Sequence, residues 1–473
     1  MSETNPPRPR GAATPPKRGI SHIPYSKILE YGIYALVFLL PWQTKLILRP
    51  GTLNRGVWDY GTISLYGTDI LLIALLILFF FLLLRAEAPG RNETAKIINQ
   101  THVPFWKKDV VWIILSGLDL VVFISIFFAP DKILAIYRYA LLLLGLGLFW
   151  LIVKAEYSKK KLAIAFFSGL VIQGVLAIQQ FLTQSAPAFK WLGMAAHSPA
   201  DFGVSVVETA GADGIPERWL RAYGSLDHPN ILGGLLAIGL IILALIIIKH
   251  QRLDNKKTDW KFIICCLSFI IIGVGLIFSF SRSALAVFAA GLIIFFVFYL
   301  VKKDRPAVKK LSGTIILFAI LAGLIFLNYQ SLFITRAQGT ARLETKSFSE
   351  RKMYLDDSLA LLKKNWLFGV GLGNYTKALS ENDLHRPWYY LQPVHNTFLL
   401  VWTETGIFGL LFFLGFLGYL TFQAIRKKNI LSLSVLAGLA IIMSLDHYPW
   451  SLHFGVLFFW LAAGAVYKNN NLS

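Results

Sequence analysis

Three short stretches combine arginine, histidine and hydroxyl or amide side chains in a way that could handle an anion and a proton. They are RAYGSLDHPN at 221–230, SFSRSA at 279–284 and VHNTFLLVWTETG at 394–406. Each leads into an apolar run, so each should sit at a helix N-terminus, where free N–H groups and a partial positive charge gather. Three such ends, carrying Arg221, Arg282 and a histidine, would make an anion seat if they converge. Arginine suits phosphate because its planar fork donates two parallel hydrogen bonds and stays charged. An imidazole titrates near neutrality, so His395 could take a proton from a hydroxyl. His228 could do likewise, or could simply bond the backbone of its own turn. Pro229 suits a first helical turn, and Ser283 and Asn396 suit early-turn or capping positions.

The elements that must position these residues are set by composition. The 473 residues are 56% hydrophobic and 15% charged, with a mean hydropathy of +0.59, which excludes a water-soluble fold. Several apolar runs approach or exceed the roughly 20 residues that cross a bilayer. We expect an all-α polytopic membrane protein with about twelve transmembrane helices. The expected spans lie near 28–48, 69–85, 110–128, 132–153, 161–182, 229–248, 260–278, 283–301, 311–330, 396–423, 430–445 and 450–467.

Lys and Arg total 46 against 26 Asp and Glu, and most of that excess falls in alternate short loops. The positive-inside rule then puts both termini in the cytoplasm and the two long loops outside. The expected organisation is a disordered cytoplasmic tail (1–27), helices one to five (28–182) and an outer loop (183–228). Helices six to nine (229–330), a large outer loop (331–395), helices ten to twelve (396–467) and a short cytoplasmic tail (468–473) follow. The first 27 residues are polar and Pro-rich without an apolar stretch of their own, so we read no cleavable signal peptide. The large outer loop holds an amphipathic helix over 350–365, with Met353, Leu355, Leu359, Leu361 and Leu362 against Arg351, Lys352, Asp356, Lys363 and Lys364. Such a helix suits a membrane interface or the cap of a cavity.

Blander readings stand beside these. An arginine at a membrane surface is more often an interfacial anchor, and a histidine beside proline is more often a local cap. Gly369, Gly371 and Gly373 lack the Lys-Ser/Thr ending of a phosphate loop and read as a turn. Asp119 and Arg138, on consecutive antiparallel spans, should pair with each other. Glu404, just before Gly406, reads as the anchor of a helix break. Lys45 falls inside the first expected span. Asp446 and His447, in DHYPW, form a further polar turn with a modest chance of touching a substrate. Adjacent Cys265 and Cys266 carry no disulfide or zinc pattern. No Walker loop, D-x-D or H-E-x-x-H occurs, and none of the histidines has convincing metal-ligand spacing, so neither cofactor nor metal is expected. Without a nucleotide site, a catalyst on the outer face needs a donor that arrives activated, and a lipid with a phosphate leaving group would need fixed cations.

At these same residues the sequence resembles the O-antigen ligase and O-antigen polymerase family. The matching elements are R-x-x-G-x-x-x-H-P-N from Arg221 to Asn230, S-R-S-A at 281–284, and E-R at 350–351. G-V-G-x-G-N at 369–374 and H-N-T-F-L-x-x-x-x-E-x-G from His395 to Gly406 complete the set. The resemblance implies an inverting, metal-independent glycosyltransferase that moves a glycan from an undecaprenyl-diphosphate donor to a hydroxyl on lipid core, growing polysaccharide or protein. It implies a bacterial cytoplasmic (inner) membrane location with an extracytoplasmic site and a role in lipopolysaccharide and cell-envelope synthesis. Arg221 and Arg282 would hold the diphosphate and His395 would be the base. Arg351, Tyr223, His228, Asn230 and Asn396 would position or support them. A polytopic transporter or flippase is the rival reading. Major-facilitator carriers place their long connection in the cytoplasm between spans six and seven, whereas here the longest loop is expected outside, between nine and ten. No nucleic-acid partner is expected.

Overall fold

The computed structural model describes residues 24–86, 110–211, 215–250 and 259–471. Most of the expected N-terminal tail and of the basic stretch after the second span lie outside the described residues. The first half of the chain forms helices α1 (Tyr25–Leu39), α2 (Gly67–Ala86), α3 (Val110–Ser125), α4 (Lys132–Lys154) and α5 (Lys159–Thr183). Next come α6 (Pro229–Lys249), α7 (Trp260–Phe278), α8 (Arg282–Val301), α9 (Arg305–Asn328), α10 (Gln330–Gln338), α11 (Arg342–Asn365) and α12 (Tyr375–Asn382). The last are α13 (Thr397–Arg426), α14 (Ile430–Leu445), α15 (Tyr448–Ser451) and α16 (His453–Asn471).

Each expected span overlaps a helix, but they are not alike. Among the described residues nine helices are long and apolar enough to cross a membrane, while α14 is apolar but shorter. The first span is corrected: α1 has 15 residues and stops at Leu39, because Pro41 follows and cannot continue a helix. Lys45 accordingly lies in a strand, β1 (Lys45–Arg49). Short antiparallel pairs fill the loops: β2 (Thr52–Leu53) pairs with β3 (Gly56–Val57), and β1 with β4 (Ile63–Tyr66). In the loop before α6, β5 (Val206–Ala210) pairs with β6 (Pro216–Leu220), which delivers the chain to Arg221.

Helix α6 is apolar all round, which a sequence can bear only when neighbours cover every face. Of its 21 residues 17 are accordingly buried, packed by α5, α7, α8, α9 and α14. A second group joins α4 to α16 and α3 to α13. The N-termini of α6, α8 and α13 open at one end of this body, together with the loops that follow α5 and α10.

The amphipathic segment is longer than expected, spanning 24 residues as α11. It buries Tyr354, Ser358, Leu361 and Leu362, whereas Leu355 and Leu359 stay exposed. The apolar stripe is thus split: one face packs on α13, the other is left uncovered.

Candidate functional site

The turn between α7 and α8 gathers three guanidinium groups. Residues 279–281 connect the helices, with Phe280 forced to a positive φ of 46° and Ser281 capping α8 through the Ala284 N–H. The turn is buried, and its carbonyls are bonded by side chains from other elements. Arg221 Nε donates to Ser279 O at 2.9 Å and Arg336 Nη2 donates to Phe280 O at 2.8 Å. Arg282 Nη1 in turn donates to Arg336 O at 3.0 Å. Arg221 is 6% exposed and spends its fork on Ser205 Oγ and Asn230 Oδ1, each at 2.8 Å. Burial, reinforced by Arg336 and Arg282, pushes its pKa down to about 9; it is still a cation at neutral pH.

The Glu344 carboxylate, in the first turn of α11, sits between two of these groups. It pairs with Arg282 at 3.0 Å and with Arg336. Arg351, two turns further along α11, stands within electrostatic range of both Arg336 and His395. Positive charge therefore exceeds negative charge in this small volume.

A cluster of imidazoles adjoins the arginines. His395 precedes α13, whose cap is Asn396: its Oδ1 accepts from Leu399 N–H at 3.0 Å and its Nδ2 donates to Ser444 O at 3.1 Å. The Tyr354 ring lies parallel to His395 at 5.7 Å, and His447 meets it edge-on at 5.3 Å. His395 Nδ1 is buried with no hydrogen-bond partner. Burial lowers the His395 pKa and Asp446 opposes that shift, so the ring is neutral at neutral pH, the form a general base requires. His447 is pushed down to about 4 by burial, and its Nδ1 lies 2.6 Å from Ser451 Oγ. Burial alone would raise the Asp446 carboxyl, but His447, His395 and His228 outweigh it and leave it lowered.

Hydrogen bonds join the two clusters. Asn230 accepts from Arg221 and donates from Nδ2 to Asp446 Oδ2 at 3.4 Å, while Asp446 Oδ1 accepts the His447 N–H at 2.8 Å. The structure thus brings Arg221, Arg282, Arg351, Asn230, Asn396 and His395 to one end of the helical body. Two more expected site residues lie beside this cluster but spend their polar atoms on local contacts. His228 caps α6, its Nδ1 accepting the Asn230 N–H at 3.1 Å; burial, then Arg221, lowers its pKa. Tyr223 OH accepts the Ser205 N–H at 2.6 Å and its ring stacks on His197 at 4.0 Å. It therefore props the serine that holds Arg221.

The Gly-rich turn closes a break in α13. At Gly406 the backbone leaves helical geometry, with φ 74° and ψ −178°, which frees carbonyls one turn earlier. Val370 N–H donates to Thr403 O at 2.8 Å and Gly371 N–H to Glu404 O at 2.9 Å. Gly371, at φ +90°, lies so close to the connection between α3 and α4 that a Cβ would come within 2.4 Å of Ala129 Cβ. The Glu404 carboxylate accepts from Trp450 Nε1 at 2.9 Å. The expected Asp119–Arg138 pair does not form. Asp119 accepts from Tyr139 OH at 3.0 Å, and Arg138 donates to Tyr60 O and Ser451 O at 2.6 and 2.7 Å. Being on neighbouring helices does not fix how each side chain is rotated about its axis, and Arg138 turns towards the loop carbonyls.

Sequence reasoning missed Arg336, Glu344 and Tyr354. Arg336 and Glu344 flank Gly339, a helix-ending signal that would have folded α10 back against α11 and brought the two charges together. For Asp446 and His447 the sequence points to a polar turn with a modest chance of touching a substrate, but not to their place between Asn230 and His395.

The fold and site define a polytopic α-helical membrane protein with an arginine- and histidine-lined end. Residues 267–414 match the family model described as O-antigen ligase. The match supports the O-antigen ligase and polymerase family, as the motifs led us to expect. It contains Arg282, Arg336, Glu344, Arg351 and His395, and leaves Arg221 and Asp446 outside. A search of curated proteins finds no match to the chain.

Proposed function

We propose that this protein transfers a glycan from a polyprenyl-diphosphate lipid to a hydroxyl acceptor, with inversion at the anomeric carbon and without a metal. The observation that carries the proposal is the junction just described: guanidiniums in excess over carboxylates, linked through Asn230 and Asp446 to the His447 backbone, with the neutral His395 imidazole within electrostatic range of Asp446. His395 accepts the proton of the acceptor hydroxyl. The oxygen attacks the anomeric carbon from the face opposite the diphosphate, forming the new glycosidic bond. The anomeric carbon–oxygen bond to the diphosphate breaks, and the lipid diphosphate leaves with the electron pair. Arg221, Arg282 and Arg336, with Arg351 beside them, stabilise the charge that develops there. Asp446 stabilises the imidazolium formed on His395. The charge asymmetry of the loops supports an extracytoplasmic site in the bacterial cytoplasmic membrane.

The test is transfer by the purified protein from a polyprenyl-diphosphate glycan, with the lipid diphosphate product quantified. His395→Ala should keep donor binding and lose about 10²–10⁴-fold in rate. Arg282→Lys should be strongly impaired, because a point charge cannot reproduce the fork. Unchanged transfer in His395→Ala removes it as the base, and full activity in Arg282→Lys reduces that residue to an anchor.

A further inference from the structure

At the opposite end of the helical body a deep apolar cleft opens between α5, α6, α14 and α16. Its volume is about 250 Å³, and its walls include Leu162, Phe166, Ile238, Val435 and Phe458. Helix α5 runs 25 residues from this mouth to the loop that carries Arg221, about 37 Å along its axis. The cleft is therefore remote from the candidate site.

The mouth is cationic in an unusual way. Lys159 and Lys468 both line it, and the first turn of α5 reads Lys159, Lys160, Lys161 with no acid among them. Cations at a helix N-terminus oppose the helix dipole, a strain that an anion at this turn relieves; Glu30 of α1 lies within electrostatic range of Lys161, while Lys159 and Lys160 form no ion pair among the described residues. The Lys468 ammonium donates to Ala155 O at 2.5 Å and rests 3.8 Å above the Tyr157 ring. Both contacts hold it at the mouth; exposed Glu156 is within electrostatic range, but Lys468 forms no ion pair among the described residues. A polar group lies along the wall as well: Ser432 Oγ is buried with no hydrogen-bond partner.

Depth identifies the occupant. The lining runs along α16 from Asn469 at the mouth to Phe458, about 16 Å at the helical rise. That is about half of a ~30 Å hydrocarbon core, the thickness of one leaflet. We propose that this cleft is a binding site for an anionic phospholipid of the surrounding bilayer, with one acyl chain in the apolar cleft and the phosphate between Lys159 and Lys468. Two lysines at a membrane surface should favour an anionic over a zwitterionic headgroup about thirtyfold.

The experiment is native mass spectrometry of the full-length, delipidated protein titrated with phosphatidylglycerol or phosphatidylcholine. The wild type should bind its tightest lipid with the thirtyfold preference for phosphatidylglycerol. Lys159→Gln with Lys468→Gln should abolish that preference. Ala465→Trp, at an exposed position of the cleft wall, should exclude both lipids by filling the cleft, and it decides the matter if the lysine variant fails to fold. Equal binding of the two lipids by wild type overturns the proposal. So does a preference that survives in the double variant, occupancy unchanged in Ala465→Trp, or displacement of phosphatidylglycerol by a stoichiometric amount of polyprenyl phosphate.

Discussion

Replacing Glu344 by glutamine probes the arginine cluster where its charges are most tightly balanced. The carboxylate is 5% exposed and holds Arg282 and Arg336 together. Removing one partner of a buried ion pair costs about 3–5 kcal/mol when it strands a charge. The Arg282 half contributes little, because that side chain is 39% exposed and solvent screens it. Arg336, 15% exposed, carries most of the loss, and the glutamine oxygen still accepts a hydrogen bond, which recovers about 1 kcal/mol. The expected destabilisation is therefore about 2–3 kcal/mol. The vacated position lies between two guanidiniums and should welcome a diphosphate, which at a hundredfold excess over its Kd contributes about 2.7 kcal/mol. The assay is thermal unfolding of purified wild type and Glu344→Gln, each with and without pyrophosphate. The variant should unfold earlier alone and gain more from pyrophosphate than the wild type does. A variant as stable as wild type, or equal protection of both, refutes the reasoning that this carboxylate occupies an anion seat.

The remaining predictions use the same geometry. A general base must be unprotonated, so transfer should rise with pH through the His395 pKa and then level off. Because burial lowers that pKa, the acid limb of kcat/KM should lie below the ordinary imidazole value of about 6.5; a limb at or above it contradicts the assignment. Gly371→Ala should destabilise by more than the roughly 1–3 kcal/mol of a strained backbone alone, since its Cβ would also strike Ala129. Denaturation that matches wild type would show that the turn at the α13 break relaxes freely.

How much could be read beforehand differs from residue to residue. Pro229 opens α6 and Asn396 caps α13 because local chemistry at a helix start is written within a few positions. The GVGLGN stretch was legible as a turn, but not that it would supply N–H groups to a break at Gly406 in a distant helix. That partnership depends on packing that no local pattern encodes. Asp119 and Arg138 went wrong for a related reason: adjacency of spans constrains which helices touch, not which faces meet. Arg336 carried no motif, and its burial became visible only once α10 was folded back on the 279–281 turn. Leu355 and Leu359 counted as apolar in the amphipathic pattern, yet the side of α11 that packs on α13 is centred on Tyr354 and Ser358.

The central claim is that the guanidinium cluster and His395 serve one substrate. A cryo-EM map of the protein bound to a polyprenyl-diphosphate glycan tests it most directly. The account predicts phosphate density within hydrogen-bond distance of Arg282 and Arg336, Glu344 displaced, and the anomeric carbon turned towards His395. Density for the diphosphate elsewhere on the molecule, with the Glu344 pairs intact, would contradict it.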